Sequence, residues 1–201
     1  TVIFDEVHQL SETASLFFGD PLSISQILEL ARDSLGEALT SAKDFTALPD
    51  ATAALEKAAR DLRLVFSQDT GRMPAQRAQA LPAFNDALAG MSKRLDELTR
   101  LLESQAERSE GLGHCWQRGQ ELATKLRHWQ DESSLDFVRW VEVFSHALQL
   151  NATPLSIAEI FSKQLSGQAR AWIFTSATLA VKRDFSHYQG QMGLLEAATG
   201  Y

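Results

Sequence analysis

The sequence has 201 residues, of which 44% are hydrophobic and 22% are charged, and its formal net charge at pH 7 is −7. This length and composition are typical of a globular protein that buries a sizeable core in one or two domains. The acidic balance excludes a strongly basic nucleic-acid-binding domain, so we expect the chain alone to bind DNA weakly. No apolar run approaches the roughly 20 residues that span a bilayer, and no signal peptide is recognisable, so we expect no membrane partner.

The sequence contains one cysteine, Cys115, which excludes an internal disulfide and is typical of a protein from a reducing compartment. Its neighbour His114 is a second potential metal ligand, but two ligands do not close a metal site. We therefore expect a buried structural thiol and a cytoplasmic location.

The first predicted element is a strand, because residues 1–4 are strand-forming and run without a polar break. Such a run is typical of a strand that is buried on both faces of a parallel α/β sheet. Asp5 and Glu6 follow at its carboxyl end, where ligands bind in such sheets. Two adjacent carboxylates repel each other unless a cation neutralises them, as nucleotide-bound Mg²⁺ does. We predict that Asp5 holds Mg²⁺ through water and that Glu6 activates the water that attacks the γ-phosphate. The alternative is a strand that ends in a solvated acidic turn.

Four amphipathic helices are predicted next from the spacing of the apolar residues. The first is predicted to start at Asp20 and Pro21, an acceptor cap followed by proline, and to run to about Phe45. The second is predicted to start at Pro49. Residues 68–74 are predicted to form a loop, because glycine and proline punctuate them.

The third helix has the most regular pattern, a heptad seam typical of helices that pack at a shallow angle. The residues of this seam are Phe84, Leu88, Met91, Leu95, Leu98, Leu102 and Gln105. Residues 109–113 are predicted to break or kink the helix, because each of their two glycines costs roughly 1 kcal/mol in a helix interior. One helix that runs through the glycines is the alternative, since the seam nearly keeps its phase. The inward residues of the fourth helix are Leu112, Cys115, Gly119, Leu122, Leu126 and Trp129.

The predicted fold is mainly α, an antiparallel four-helix bundle inserted into a partial α/β domain. An even number of antiparallel helices returns the chain to the point where it left the parent domain. The expected boundaries are 1–20 for the first part of the parent domain, 21–131 for the bundle and 132–201 for the return. The return is predicted to contain a hairpin of strands 137–143 and 148–150, a helix over 157–165, a buried strand over 171–175 and a helix over 184–193.

Two boxes that follow apolar strands resemble the motifs of a known family. Residues 5–8 form an Asp-Glu-x-His box, and residues 175–179 form a Thr-Ser-Ala-Thr-Leu box. In this order they resemble motifs II and III of superfamily 2 helicases. With their flanks, over 4–10 and 172–179, they are similar to the DinG/XPD family, and most closely to its bacterial members. The usual family box is Asp-Glu-Ala-His, and Val7 replaces the alanine at a position without a chemical role.

The resemblance implies a bacterial ATP-dependent DNA helicase with a RecA-like motor domain, unwinding 5′ to 3′ in repair or replication-stress responses. It implies the Mg²⁺ role for Asp5 and the catalytic-base role for Glu6. It also implies that His8 couples the nucleotide site to the second box, and that Ser176 and Thr178 relay the nucleotide state to the motor domains. The implied cofactors and partners of the intact protein are ATP, Mg²⁺, single-stranded or forked DNA, and replication or repair proteins.

Members of this family carry an insertion between the two boxes, called the arch, which helps to enclose single-stranded DNA. The predicted bundle is similar to the arch in position. Many members also hold an iron–sulfur cluster with four cysteines upstream of the first box, which this chain, with one cysteine, cannot hold itself. The phosphate-binding Gly-x-x-x-x-Gly-Lys-Ser/Thr loop is absent from the sequence. We therefore expect the chain to be a piece of a longer polypeptide and to be inactive alone.

Two functions are open for the bundle. Its basic residues are interleaved with acids, which is typical of a solvated face. In the first function, a few cations such as Lys125 and Arg127 contact DNA phosphates without reading the bases. In the second, the chain is a non-enzymatic helical-bundle module for protein interaction, and the two boxes are coincidental.

Overall fold

The structure is a computed structural model in which residues 1–7, 19, 21–66, 70–131, 137–154, 171–176, 179, 184–192, 194 and 198 are described. The chain divides into two compact units. Unit 1 contains Thr1–Gly19, Leu135–Val138 and Thr153–Tyr201, and unit 2 contains Asp20–Ser134 and Arg139–Ala152. Within the described ranges, no helix has the length and apolar character needed to cross a membrane.

The described elements are mainly helical, as predicted for the fold class. In chain order they are β1 (Val2–Phe4), β2 (Leu22–Ser23), α1 (Ile24–Ser41), α2 (Ala47–Leu64), β3 (Gly71–Pro74), α3 (Ala75–Gln79), α4 (Pro82–Gln105), α5 (Glu110–Gln130), β4 (Phe137–Val143), β5 (Leu148–Pro154), β6 (Trp172–Phe174) and α6 (Ser186–Met192).

Each of the four long helices of unit 2 packs against two of the others. Helix α1 packs against α2 and α5, and α4 packs against the same two helices. Leu30, Leu55, Leu98 and Leu126, one from each helix, are fully or almost fully buried in this core. Burying each such side chain contributes about 1.5–3 kcal/mol, so the apolar stripes are what bring the four helices together.

The heptad seam predicted for the third helix is confirmed, because all seven of its residues are buried in α4. The inward residues predicted for the fourth helix are likewise buried in α5. Phe84 lies among aromatic neighbours in this core. Its ring meets Trp129 edge-on, with 6.1 Å between ring centroids, and contacts Phe66 at 5.6 Å.

The start predicted for the first helix is wrong. Leu22 and Ser23 form the short strand β2, which is antiparallel to β5, and α1 begins only at Ile24. Ser23 is the N-cap, since its hydroxyl accepts a hydrogen bond from Ser25 N at 3.2 Å and its own N–H donates to Gln26 Oε1 at 3.0 Å. The capping box fixes the helix start at Ser23 rather than at Pro21, because it satisfies two backbone N–H groups that have no partner inside the helix.

The second helix also begins earlier than predicted. Helix α2 starts at Ala47, two residues before Pro49. Pro49 therefore occupies the first turn, where the missing N–H costs nothing because the first four N–H groups have no partner inside the helix. Leu48 is fully buried, so the earlier start adds a core contact.

The predicted break between the third and fourth helices is confirmed, but it precedes the glycines. A 3₁₀ turn over 106–108 follows α4. Ser109 then adopts an extended conformation (φ −155°, ψ 154°), and its hydroxyl accepts a hydrogen bond from Leu112 N at 3.1 Å, as an N-cap does. Gly111 and Gly113 lie in the first turn of α5, so α4 and α5 are two helices rather than one.

The predicted hairpin is confirmed as β4 and β5, the two central strands of a sheet ordered β2-β5-β4-β3. The loop predicted over 68–74 is wrong for its second half, because Gly71–Pro74 form β3, antiparallel to β4. Glycine and proline usually indicate a loop. Here they lie at the two ends of an edge strand, where Pro74 needs no ladder N–H and Gly71 adopts a φ of +128°.

Polar contacts fasten the hairpin to the helices of unit 2. The buried indole N–H of Trp129 donates to Asn151 O at 3.1 Å, and Arg139 donates to the carbonyl of Trp129 at 2.9 Å. The prediction places the whole hairpin in the return segment 132–201, whereas Arg139–Ala152 belong to the helical unit. The hydrogen bonds of Trp129 explain why these residues belong to the helical unit, because buried hydrogen bonds hold both partners in one compact body.

In unit 1, β1 and β6 form a parallel pair, in agreement with the predicted parallel arrangement. The register runs from Val2 opposite Trp172 to Phe4 opposite Phe174. The rings of Phe4 and Phe174 are stacked, with 5.4 Å between centroids and 7° between planes. Stacking adds about 0.5–1.5 kcal/mol to the backbone pairing and fixes the strands at their carboxyl ends.

The prediction that the first strand is buried on both faces is wrong for the described part of the chain. Ile3 is 66% exposed and its cross-strand neighbour Ile173 is 44% exposed, because side chains alternate between the two faces of a strand and only one face is covered. The covered face packs on a small core of Val7, Tyr188 and Met192, with Phe4, Phe174, Leu179 and Leu194 at its edge.

Helix α6 lies within the predicted range 184–193. Its start is fixed by Asp184, whose carboxylate accepts hydrogen bonds from the backbone N–H and the hydroxyl of Ser186, both at 2.9 Å. Burial of Tyr188 in the small core raises the pKa of its phenol to about 12. The helix predicted over 157–165 lies outside the described residues.

Gly119 gives a direct test of the close packing between α4 and α5. A Cβ at Gly119 would lie 2.7 Å from Thr99 Oγ1, which is itself held by donation to Leu95 O at 2.8 Å. We expect Gly119→Ala to lower the free energy of unfolding by about 1–3 kcal/mol, because overpacking outweighs the better helix propensity of alanine. The measurement is urea unfolding followed by circular dichroism.

Gly90→Ala is the matched control for this substitution. Gly90 also lies inside a helix, and a Cβ there meets no heavy atom within 4 Å. We expect this variant to gain about 0.5–1 kcal/mol from helix propensity. Equal stability changes at the two positions would contradict the close approach of the two helices at Gly119.

Candidate active site

The candidate site lies in unit 1, where the parallel strands β1 and β6 end side by side. The pairing continues one residue beyond the strands, since Thr175 N donates to Phe4 O at 2.9 Å and Val7 N donates to Thr175 O at 3.2 Å. Because Phe4 is opposite Phe174, the residues that follow each strand are brought together in register. The acidic pair Asp5 and Glu6 therefore meets the hydroxyl-bearing residues that follow β6.

Asp5 is held by two donors. Its Oδ1 accepts hydrogen bonds from Thr175 Oγ1 at 2.7 Å and from the backbone N–H of Glu6 at 3.0 Å. These donors stabilise the charged form, so the Thr175 hydroxyl first and the Glu6 N–H second lower the pKa of Asp5 below its ordinary value. Asp5 is exposed and therefore presents an ionised carboxylate to solvent at neutral pH.

Glu6 has the one positive φ among the described non-glycine residues, at 51°. The left-handed region is unfavourable for a residue with a Cβ, and such strain is concentrated at functional sites. The adjacent Val7 is buried, and its N–H bond to Thr175 holds the backbone in this turn. The side chain of Glu6 stays exposed, and its Oε2 accepts a hydrogen bond from Ser176 Oγ at 3.3 Å.

The donor set fits a magnesium ion that arrives with a nucleotide. Mg²⁺ prefers carboxylate oxygens, keeps several waters and is commonly bound through one or two carboxylates and substrate phosphates. Asp5 and Glu6 provide two adjacent, exposed carboxylates. The described residues contain no group of three or more acidic, histidine or cysteine side chains that would hold a metal by itself. The two carboxylates therefore fit a magnesium ion that takes its other ligands from water or a bound substrate.

The structure brings together three of the predicted site residues, Asp5, Glu6 and Ser176. His8 and Thr178 lie outside the described residues. Thr175 is not among the predicted site residues, although its hydroxyl donates to Asp5 Oδ1 at 2.7 Å. Its role follows from the parallel register, which places Phe4 opposite Phe174 and therefore Asp5 opposite Thr175. The sequence shows only that Thr175 directly follows an apolar strand.

The predicted DNA contacts Lys125 and Arg127 lie on α5 in unit 2. Arg127 is paired with Asp96 of α4 at 3.4 Å. Lys125 lines a shallow surface depression whose other residues are Gln117, Gln120, Glu121 and Thr124. Each of the two cations lies near an acidic side chain, Glu121 for Lys125 and Asp96 for Arg127. A phosphate contact there is therefore weaker than at a purely basic patch.

The expectation of a buried structural thiol is confirmed for Cys115, which is a free and buried cysteine. Burial is the largest influence on this thiol and raises its pKa, so it is a poor nucleophile. The neighbouring His114 is exposed and lies 3.8 Å from Glu110 on the same helix.

The chain is similar over almost its whole length to two bacterial helicases. It is 31% identical over 196 residues to the ATP-dependent DNA helicase YoaA of Escherichia coli strain K12, and 29% identical over 197 residues to the ATP-dependent DNA helicase YoaA of Haemophilus influenzae. Each alignment covers 98% of this chain but 31% of the relative, so the chain spans about a third of the length of these relatives. No family model matches the chain. The similarity supports a helicase relationship, of the kind that the two boxes and their flanks indicate.

Thr175→Val tests the contact that organises the acidic pair. Valine has nearly the same shape as threonine but lacks the hydroxyl, so we expect the pKa of Asp5 to rise toward its ordinary value. The measurement is a pH titration of the Asp5 carboxyl carbon by NMR. Because the folded-state pKa is depressed, the stabilisation from this contact is present above about pH 4 and is lost as the pH falls through the folded-state pKa.

Ser176→Ala is the control for this titration, because Ser176 donates to Glu6 rather than to Asp5. We expect it to leave the pKa of Asp5 unchanged. An unchanged Asp5 pKa in Thr175→Val would contradict the contact.

Proposed function

We propose that this chain is part of a bacterial ATP-dependent DNA helicase of the DinG/XPD type. It would supply the Asp-Glu-x-His box and the third motif of a RecA-like motor domain, together with the helical arch. Support comes from the similarity to the two YoaA helicases over 98% of the chain. The observation that carries the proposal is the double contact of Asp5 with Thr175 and of Glu6 with Ser176 at the ends of two parallel strands.

In the proposed reaction, Asp5 would hold the Mg²⁺ of Mg·ATP through water. Glu6 would accept a proton from the water whose oxygen bonds to the γ-phosphorus, while the bond to the leaving ADP breaks. The Mg²⁺, when bound, would supply positive charge that offsets the negative charge developing on the phosphates. The lowered pKa of Asp5 suits it to this role, because an ionised carboxylate accepts hydrogen bonds from metal-bound water and attracts the cation. The exposed side chain of Glu6 suits it to contact with a water.

The hydroxyl groups after β6 give the site a means of sensing the nucleotide. Ser176 now donates to the carboxylate of Glu6 at 3.3 Å. A hydroxyl can exchange hydrogen-bond partners with little rearrangement, so a change in the charge or contacts of Glu6 on hydrolysis would release Ser176. We propose that this exchange relays the nucleotide state along β6, and that His8 and Thr178 take part, as the resemblance implies.

In the proposal, the four long helices of unit 2 are the arch, because they lie between the two boxes in sequence. In the proposal they help to enclose single-stranded DNA while the motor translocates 5′ to 3′ in repair or replication. Lys125 and Arg127 would contact phosphates, in competition with the pairing of Arg127 to Asp96. The net charge of −7 indicates that most of the DNA affinity comes from other parts of the full-length protein.

The complete activity belongs to a longer protein in this proposal. The 201 residues contain no Gly-x-x-x-x-Gly-Lys-Ser/Thr loop, which phosphoryl transfer of this type needs to hold the phosphates. An iron–sulfur cluster in the parent protein would need cysteines from outside this chain. We propose that the isolated chain does not hydrolyse ATP.

Glu6→Gln in the full-length protein is the test of this function. Glutamine keeps the size of the side chain but cannot accept a proton, so we expect DNA-stimulated ATP hydrolysis to fall by roughly 10²- to 10⁴-fold with little change in nucleotide affinity. The measurement is steady-state phosphate release with and without single-stranded DNA.

Glu103→Gln, at an exposed position on α4, is the matched control and should hydrolyse ATP at the wild-type rate. Wild-type turnover in Glu6→Gln would overturn the assignment of the base. A folded full-length protein that hydrolyses no ATP with DNA present would favour the alternative of a protein-interaction module.

A further inference from the structure

The carboxylate of Asp5 has one oxygen that is filled by donors from the protein itself. A carboxylate offers about four lone-pair sites, roughly two on each oxygen. Oδ1 accepts one hydrogen bond from Thr175 Oγ1 at 2.7 Å and another from the backbone N–H of Glu6 at 3.0 Å, so both of its sites are occupied. None of the residues that the structure describes donates to Oδ2. Asp5 therefore presents one oxygen, rather than two, to a ligand.

Both donors are held in place by backbone hydrogen bonds. Thr175 N donates to Phe4 O at 2.9 Å, and Val7 N donates to Thr175 O at 3.2 Å, so Thr175 is fixed from both sides. Its β-branched side chain also restricts the torsion that aims the hydroxyl. The second donor, the N–H of Glu6, belongs to the turn that the same bond of Val7 closes. The register of β1 and β6 therefore decides which oxygen of Asp5 is filled.

The number of free oxygens matters because Mg²⁺ and Ca²⁺ use carboxylates differently. Mg²⁺ is small, requires a nearly ideal octahedral arrangement and keeps several of its waters, so one oxygen of a carboxylate is enough. Ca²⁺ is larger, takes about six to eight oxygen ligands and binds carboxylates through one or both oxygens. A carboxylate with one free oxygen therefore fits Mg²⁺, and it offers Ca²⁺ one ligand fewer than a free carboxylate does.

We propose that Thr175 determines the metal specificity of the site, because its hydroxyl fills Oδ1 of Asp5 and so favours Mg²⁺ over Ca²⁺. This inference rests on the function proposed above, since the metal is the one that arrives with the nucleotide. Thr175 acts through Asp5 and is a positioning residue. A hydroxyl that only held the ends of β1 and β6 together would affect the complexes of both metals alike.

The test is the affinity of the full-length protein for ADP, measured by calorimetry with saturating MgCl₂, with saturating CaCl₂ or with EDTA. We expect Thr175→Val to weaken Mg·ADP binding roughly 10-fold, as loss of an outer-shell partner commonly does, without weakening Ca·ADP binding. The preference for Mg²⁺ then falls roughly 10-fold. Thr175→Ser keeps the hydroxyl and should keep the preference. Asp5 stays ionised at neutral pH in each variant, because its ordinary pKa already lies far below neutrality.

Thr40→Val is the matched control, because Thr40 is an exposed threonine of α1 whose hydroxyl donates to Gly36 O. It should keep the wild-type preference for Mg²⁺. Affinity for ADP in EDTA should be the same in all variants, and Thr175→Ala gives the same comparison if Thr175→Val does not fold.

Two results would overturn the inference alone, provided that wild type binds ADP more tightly with Mg²⁺ than in EDTA and Asp5→Asn does not. One is a wild-type preference for Mg²⁺ in Thr175→Val, and the other is an equal weakening of Mg·ADP and Ca·ADP binding. A folded wild-type protein whose affinity for ADP does not depend on the metal would overturn the proposed function as well.

Discussion

The parallel, in-register pairing of β1 and β6 is the constraint on which the candidate site depends. The two strands are about 170 residues apart in sequence, yet their register sets Asp5 against Thr175 and Glu6 against Ser176. A slip of one residue would turn every side chain to the other face of the strand and separate these partners. The stacked rings of Phe4 and Phe174 oppose such a slip, so an apolar contact at the strand ends positions the acidic residues that follow.

Unit 2 is held together by a different set of forces. Its four long helices each contribute an apolar stripe to one core, and the sheet is fastened to that core by buried polar groups at Trp129 and Arg63. Gly119 lets α5 approach Thr99 of α4 closely. Unit 1 has its own small core of Val7, Tyr188 and Met192. Each unit thus has its own hydrophobic core, a small one beneath the paired strands and a larger one among the four long helices.

The sequence predicts structure well where an apolar pattern repeats over many turns. It predicts poorly where a few contacts determine where an element begins. The seam from Phe84 to Gln105 repeats over six turns, so its inward face was predicted without error. The start of α1 depends on one capping box at Ser23, and β3 depends on pairing with β4, which no local pattern encodes. At the site, Asp5 and Glu6 were predicted from their residue types. Thr175 was missed because its role arises from the register of two distant strands.

Binding of a metal–nucleotide complex to the full-length protein is the most direct measurement of the central claim, that the acidic pair at the ends of β1 and β6 is a nucleotide–magnesium site. Mn²⁺ can replace Mg²⁺ and be followed by electron paramagnetic resonance with ADP present. We expect Asp5→Asn to weaken binding of Mn·ADP by about 10- to 100-fold, while the affinity for metal-free ADP stays the same, because Asp5 contributes through the metal. Equal Mn·ADP affinity in wild type and Asp5→Asn would contradict the assignment.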